Sequence, residues 1–554
     1  MGHKKVSAVE PQKETVQKES GGSIFSKISS KWFIILLLLL AGIVWYSFFT
    51  THTKGITGSD DREYVSVARN IVNGKGIVRN FIYPIDINFF EKLPIPEFHH
   101  PPGYPLLIAG FFKLFGISDF VALLPTYLSY FLLIPLLFFF IKKYLDMKTA
   151  VLASILILFN KEILELSLVA LTEIFYTFVF LLFFIVLVNA KKSRTVFIAG
   201  LLLGVSQLIR KSFYPFLIPL FIYFFFYHRE FRWKKIILFT LGLLLPILFS
   251  LIRSYLATGS PFFSYNHFIL MSYSEKYPEM EIWRDIEAPS LFEFIKEAPS
   301  RFLLKYLNHF MSVLTRLLSV SNSYLLAFFL VEMFCWKVNS DWKRIKVLFL
   351  LLLLSQIFFI PLHTFESRYF IPFLPMMIAF ASQGFSRMVD TLISGLKAHW
   401  RKGVLALMGF LFFMFFITPA LYLILRPSGP PLLGHQTLQF GFLMPKGEAI
   451  RLNDFLKREL REDQIVWTDL PEVLEWEGNR LCGWLPLRIK AIYEIHRKIP
   501  VDAILLTNVQ TPQRMKEEWR YLLFSEHSLP QYRTVKLYQS RMLFAKLLIW
   551  DGQE

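Results

Sequence analysis

Long apolar runs dominate the chain. Residues 32–49 read WFIILLLLLAGIVWYSFF, and runs such as FLLIPLLFFFI (131–141) and FLLFFIVLVNA (180–190) recur at short intervals. These runs lack the alternation of apolar and polar positions that a barrel strand requires. A helix needs about 20 such residues, at a rise of about 1.5 Å each, to cross a hydrocarbon core of roughly 30 Å. The segments between the runs are short and basic: KKYLDMK (142–148), KKSR (191–194), HREFRWKK (228–235), KVNSDWKRIK (337–346), and 386–402 with Arg387, Lys397, Arg401 and Lys402. Cytoplasmic loops carry the excess of Lys and Arg, so these connections face inward and the others outward. The pattern predicts eleven spans, near 32–50, 119–141, 149–166, 170–190, 195–209, 213–227, 236–252, 318–336, 347–362, 368–386 and 403–425. The expected fold class is an α-helical polytopic protein of the cytoplasmic membrane, with its N-terminus inside and its C-terminus outside.

The pattern changes after residue 425. EAIRLNDFLKREL has helical spacing, whereas QIVWT, DAILLT and MLFAKLLIW read as strands. A small external α/β domain is expected over 432–554, joined by the linker RPSGPP (426–431), with Asp469 of TDLPE as a turn residue. Ahead of the first run, a polar leader carrying six lysines lacks a small-residue cleavage site. That predicts a retained signal anchor and a disordered cytoplasmic leader over 1–30. The membrane domain then covers 31–425, with 51–118 as its first external loop.

Composition sharpens this reading by exclusion. A chain that is 54% hydrophobic is not a soluble multidomain protein. Its formal charge of +18 is spread over the short loops rather than gathered in one patch with interleaved aromatics, which argues against nucleic acid as a partner. The only cysteines, Cys335 and Cys482, fall near opposite faces of the membrane, so neither a disulfide framework nor a thiolate metal site is available.

The remaining polar residues gather on the outer side. The first external loop holds GSDDREY (58–64) and EFHHPPGYP (97–105). Glu162, Glu165 and Glu173 flank one hairpin tip, Arg210 and Lys211 form the next, Arg253 ends a span, and HTFESRY (363–369) follows another. In SDDREYVSVARNIV the apolar spacing is helical, and Ser59 or Asp60 can cap that helix. A cap needs one carboxylate, not two. HHPPGYPLLIAGFFKLFG offers about 13 apolar residues, too few to span, and predicts a helix at the interface. The span at 195–209 covers only about 22 Å, which leaves Arg210 within the outer leaflet. A cation there needs an anion, and a guanidinium fork matches a lipid phosphate.

Taken in order, DD-x-x-Y…AR-N, HHPPGYPLL…LFG, LTEIF (171–175), GLLLGVSQLIRKSFYPFLIPL (200–220), RSYLATGSPFF (253–263) and ESRYFIPFLP (366–375) resemble the GT-C membrane glycosyltransferases. The branch containing protein O-mannosyltransferases and lipid A aminoarabinose transferases is the most similar. The resemblance covers about residues 30–390, and RLNDFLKREL…IVWTDLPEVLEW…WLP resembles the external tail of bacterial members. It implies a sugar transferred from a polyprenyl-phosphate carrier to an acceptor hydroxyl on a lipid, glycan or protein at the outer membrane face, with inversion at the anomeric carbon. It also implies that Asp60, with Asp61 beside it, is the catalytic carboxylate and that Arg210 faces the carrier phosphate. Where some members have a lysine after the first interface helix, this chain has His100, which puts that phosphate contact in doubt.

The residues themselves allow this chemistry. Asp60 can serve as base, with a pKa raised by its neighbour Asp61 and by partial desolvation. Arg210, Lys211, Arg253 and Arg368 are the cations available to a departing phosphate, with His100. Arg253 and Arg368 read equally as interfacial arginines snorkelling at helix ends. Tyr64 and Tyr104 either pack or bind sugar faces, and Glu173, His99 and Glu366 complete the candidate substrate contacts. Glu173 is expected to pair with Arg210 or Lys211. Glu366 and Arg368, two apart, are not expected to bridge if the segment is helical. His99 and His100 with Asp60 and Asp61 form a conceivable divalent-metal site, disfavoured because adjacent histidines seldom point the same way, so no cofactor is assigned. The rival reading from another class is a secondary transporter or flippase for a lipid-linked or anionic substrate. Such a protein should show internal repeats and polar residues at mid-membrane, and neither is evident.

Overall fold

The computed structural model describes residues 30–52, 55–56, 58–211, 214–227, 232–320, 323–336, 338–418, 421–422, 444–509, 516–541 and 543–552. The leader expected over 1–30, apart from Ser30, and the linker expected at 426–431 lie outside the described residues.

Among the described residues, five helical stretches are long and apolar enough to cross a membrane: Ser30–His52, Asp119–Tyr144, Arg232–Thr258, Ser340–Leu362 and His399–Ile417. The chain is an integral membrane protein. In chain order the helices up to residue 412 are α1 (Ser30–His52), α2 (Ser59–Val72), α3 (Gly103–Phe115), α4 (Asp119–Tyr144), α5 (Met147–Leu158), α6 (Lys161–Leu166), α7 (Thr172–Val188), α8 (Ser193–Ile209), α9 (Leu217–Tyr227), α10 (Arg232–Thr258), α11 (Asn266–Met271), α12 (Leu291–Glu297), α13 (Pro299–Val320), α14 (Ser323–Phe334), α15 (Ser340–Phe359), α16 (Leu374–Ser394) and α17 (Ala398–Phe412).

Two expected spans are broken. The run 149–166 stops at Leu158 and restarts as α6, because the Asn160 side chain accepts the Ile163 N–H at 3.1 Å and caps a new helix. The run expected at 318–336 is divided between α13 and α14. Helix α13 was hidden by its polar positions. Leu303, Leu307, Met311, Leu314 and Leu318 recur along one exposed face, while Lys305 and His309 point inward.

Close backbone approaches set the packing around the site. A Cβ on Gly200 would lie 2.0 Å from the Phe239 carbonyl, so only glycine lets α8 lie this close to α10. A Cβ on Gly103 would lie 2.6 Å from the Leu208 carbonyl. The start of α3 therefore abuts the end of α8, which brings the His99–Pro102 bend beside Arg210.

Beyond the bundle, α18 (Lys446–Glu459) and α19 (Pro471–Gly478) pack on a six-stranded sheet. Its order is β2 (Phe81–Ile82), β5 (Cys482–Trp484), β4 (Val466–Thr468), β6 (Ala503–Thr507), β8 (Phe544–Trp550) and β7 (Tyr532–Gln539), while β1 (Val78–Arg79) and β3 (Ile95–Pro96) form a separate antiparallel pair. The first four run parallel, β8 pairs antiparallel with β6, and β7 pairs antiparallel with β8. Strands β4, β5 and β6 are buried throughout, as parallel strands covered on both faces must be. The edge strand β2 belongs to the first external loop, where Phe81 and Ile82 pair with Cys482 and Gly483. Helix α2 docks on the same unit. Arg69 donates to the Trp476 and Glu475 carbonyls at 2.7 and 2.6 Å, and the Ser59 hydroxyl donates to Glu472 at 2.8 Å.

Candidate active site

The site begins at the first turn of α2. Gly58 occupies the N-cap position in an extended conformation, so neither Ser59 nor Asp60 caps the helix as expected. The buried Asp61 carboxylate turns back onto the backbone N–H groups of Gly58 and Arg62, where the positive end of the helix favours a negative charge. Burial nevertheless pushes its pKa up to about 6. One residue earlier, Asp60 is half-buried and lines a cavity of about 270 Å³. The two carboxylates thus have separate surroundings. Asp61 serves the helix end and is not among the residues that line the cavity.

Arg368 is the hub of the cavity wall. Its guanidinium meets Asp60 Oδ2 at 2.9 Å, Glu366 Oε2 at 2.5 Å and Glu173 Oε1 at 3.6 Å. Arg210 meets the same Glu173 oxygen at 2.7 Å and stacks over the Tyr369 ring at 4.1 Å. The Glu366–Arg368 pair corrects the expectation that these residues do not bridge. Glu366 is the extended N-cap of the short helix Ser367–Phe373, so its side chain does not follow helical spacing. Asp60 also corrects its expected pKa. Burial would raise it, but the charges of Arg368 and His100 outweigh the effect of burial and hold the carboxyl below its ordinary value. Asp60 is therefore ionised at neutral pH.

Asp60, Tyr64, His99, His100, Glu173, Arg210, Lys211, Glu366 and Arg368, all singled out in the sequence, line this one cavity. Lys211 has a different environment from the arginines. Its ammonium donates to the Phe98 carbonyl at 2.9 Å, and burial lowers its pKa to about 8. Arg253 and Tyr104 are not among the lining residues. Arg253 donates to the Glu97 carbonyl and lies over the Phe98 ring, bracing the loop from behind. Tyr104 is fully buried, shares a hydrogen bond of 2.7 Å with Thr126, and packs edge-on against Tyr64.

His99 and His100 depart from expectation in another way. Their ring nitrogens Nδ1 and Nε2 approach Glu63 Oε2 at 3.6 and 3.1 Å, so the adjacent histidines do converge, and on Glu63 rather than on Asp60 or Asp61. The physical reason is the bend at residues 99–102. Glu97 accepts the His100 N–H at 2.6 Å, and the alternation of an extended chain is lost.

Residues 99–253 match the dolichyl-phosphate-mannose-protein mannosyltransferase family. In fold, the chain is similar to ArnT from Cupriavidus metallidurans in the apo state, with a TM-score of 0.56 at 13% identity over 94% of this chain and 98% of that one. The undecaprenyl phosphate-bound form of that ArnT gives a TM-score of 0.55 at 12% identity, over the same shares of 94% and 98%. The Archaeoglobus fulgidus oligosaccharyltransferase in complex with Zn and sulfate gives 0.53 at 12% identity, over 92% of this chain and 72% of that one. The fold is that of the GT-C membrane glycosyltransferases. No curated protein matches the sequence. The family match at residues 99–253 falls within the part of the chain that shares this fold.

Several residues of the cavity carry no signal of their own in the sequence. Trp283, Tyr273 and Asn266 lie in 264–298, a stretch with neither apolar periodicity nor a recognisable motif. His363 and Tyr369 lie within HTFESRY, and the Tyr369 ring stacks on Arg210. Position in that short segment was the available signal.

Proposed function

We propose that the chain transfers a sugar from a polyprenyl-phosphate carrier to an acceptor hydroxyl at the outer face of the cytoplasmic membrane. One observation carries the reading. An ionised Asp60 and the guanidinium groups of Arg368 and Arg210 line the same cavity at the ends of membrane helices. In the reaction, the acceptor oxygen attacks the anomeric carbon and Asp60 takes the hydroxyl proton. The bond from that carbon to the carrier phosphate oxygen breaks, and the phosphate leaves with the bonding electrons. Attack opposite the leaving group inverts the centre. The charge developing on the phosphate is where Arg210, Arg368 and Lys211 contribute most, because they act more strongly on the transition state than on the ground state. The donor phosphate competes with Asp60 for Arg368, and drawing that guanidinium away makes Asp60 a stronger base.

The carrier class is supported by the undecaprenyl phosphate bound in ArnT from C. metallidurans. In this reading, 31–425 is the catalytic membrane domain, and the N-terminus is inside. The domain over 432–554 is external, and its contacts with α2 and β2 hold the loop that bears Asp60. The test is turnover by the full-length protein in liposomes with polyprenyl-phosphate-linked sugars and hydroxyl acceptors. Release of polyprenyl phosphate that depends on both donor and acceptor is expected. No release with any lipid-linked donor, together with transport of such a lipid across the bilayer, would refute the transferase.

A further inference from the structure

We propose that Glu63, His99 and His100 form a binding site for a divalent ion of the zinc class. Zinc ligands at about 2.0–2.2 Å in tetrahedral geometry stand roughly 3.3–3.6 Å from one another. Glu63 Oε2 lies 3.1 Å from His100 Nε2 and 3.6 Å from His99 Nδ1, and all three ligand atoms lie within 4.8 Å of one another. An ion among them requires shifts of only a few tenths of an ångström in the closer contacts.

The ligands are held in place by their surroundings. Glu63 is buried on α2, and Tyr83 donates to its Oε1 at 3.1 Å, which leaves Oε2 directed at the histidines. Glu63 Oε2 and His100 Nε2 are both buried and face each other at 3.1 Å. The His99 ring packs against Trp283 at 4.5 Å, and the His100 ring against Tyr64 at 4.5 Å. Such orientation of a ligand by its neighbours is what a metal site requires. The donor set also selects the ion. Two imidazoles and one carboxylate suit zinc and its first-row neighbours, whereas calcium and magnesium take oxygen ligands. Three protein ligands leave one coordination position open, as in zinc sites that hold a reacting group. Two of the three ligands line the cavity that holds Asp60, so an anionic oxygen bound there is the natural fourth ligand.

The test uses the full-length protein in detergent, stripped with a chelator. Cobalt titration followed by visible absorption, and zinc content after desalting, report binding without any turnover. About one ion per chain is expected. His99→Asn, His100→Asn and Glu63→Gln should each weaken it by about tenfold or more, while His399→Asn on α17 leaves it unchanged. Should Glu63→Gln fail to fold, the two histidine variants decide the matter. No stoichiometric uptake, or uptake equal in the histidine variants and the unaltered protein, overturns the site. Either result leaves sugar transfer by Asp60 standing. Conversely, zinc uptake by an inactive protein would remove the transferase reading and keep the metal site.

Discussion

Two buried charge clusters sit at opposite ends of α15 and α16, and they differ in what surrounds them. At one end, Arg368 faces Asp60, Glu173 and Glu366, and all four line the cavity. At the other end, Glu332 meets Lys346 at 2.6 Å, Arg387 at 2.8 Å and the Trp342 indole N–H at 2.9 Å. Lys346 is fully buried and also donates to the Glu332 and Cys335 carbonyls. None of these residues lines that cavity. Burial of charge is costly in both places and is offset in both by pairing. Room for a ligand beside the charges is what separates a candidate site from a clamp between helices.

The largest effect expected is at Asp60. Asp60→Asn should lower the transfer rate by about 10²–10⁴-fold, since a positioned carboxylate base contributes on that order. Turnover in proteoliposomes measures it, and unchanged turnover would erase the chemical distinction between the two clusters. Glu332→Ala should do the reverse. It removes the carboxylate that Lys346 and Arg387 share and should cost about 3–5 kcal/mol of stability, read by thermal unfolding in detergent, with carrier binding per folded molecule unchanged. A loss of carrier binding there would show the second cluster to be part of the site.

Arg210→Ala sharpens the comparison further. Hydrogen bonds to charged groups are worth about 1.5–3 kcal/mol, so affinity for a polyprenyl phosphate should fall by roughly 10–100-fold in a titration. Arg69→Ala removes two hydrogen bonds between α2 and α19, each worth about 1 kcal/mol. Faster limited proteolysis of the C-terminal unit is expected, with a smaller drop in turnover than Asp60→Asn gives.

The smallest effect concerns pH and the sheet. Asp469 accepts the Thr507 N–H and hydroxyl at 3.0 and 2.6 Å, and burial pushes its pKa up to about 7, only partly opposed by those bonds and by Arg284. The folded protein thus keeps a proton that the unfolded chain releases. The stability from this group is present below its ordinary range and is lost as pH rises through about 7. Asp469→Asn should flatten the fall in unfolding temperature between about pH 4 and 7.

Much of the site was legible because each residue type carries a cost in lipid. Arg210 at the end of a short apolar helix and the acidic pair after the first span stand out against their surroundings. Less visible was anything that depends on side-chain direction. The division of labour between Asp60 and Asp61, the Glu366–Arg368 pair at a helix cap, and the meeting of His99 and His100 on Glu63 all arise at bends or first turns. Helical or extended spacing does not apply at such positions. Likewise α13 has no continuous apolar run in the sequence, because Lys305 and His309 interrupt it, although they lie on its inward face.

The sequence by itself determined that the chain crosses a membrane and where its polar residues concentrate, because the length and purity of apolar runs are local properties read against the thickness of the bilayer. It also determined that the helix after HHPP is too short to span. Only the tertiary structure decided which carboxylate faces the cavity, and that Arg368 reaches across 308 positions to Asp60. It alone decided that Phe81 and Ile82 extend a sheet formed by residues beyond 460. These are pairings between distant segments, fixed by which surfaces can be buried together, and no local periodicity encodes them.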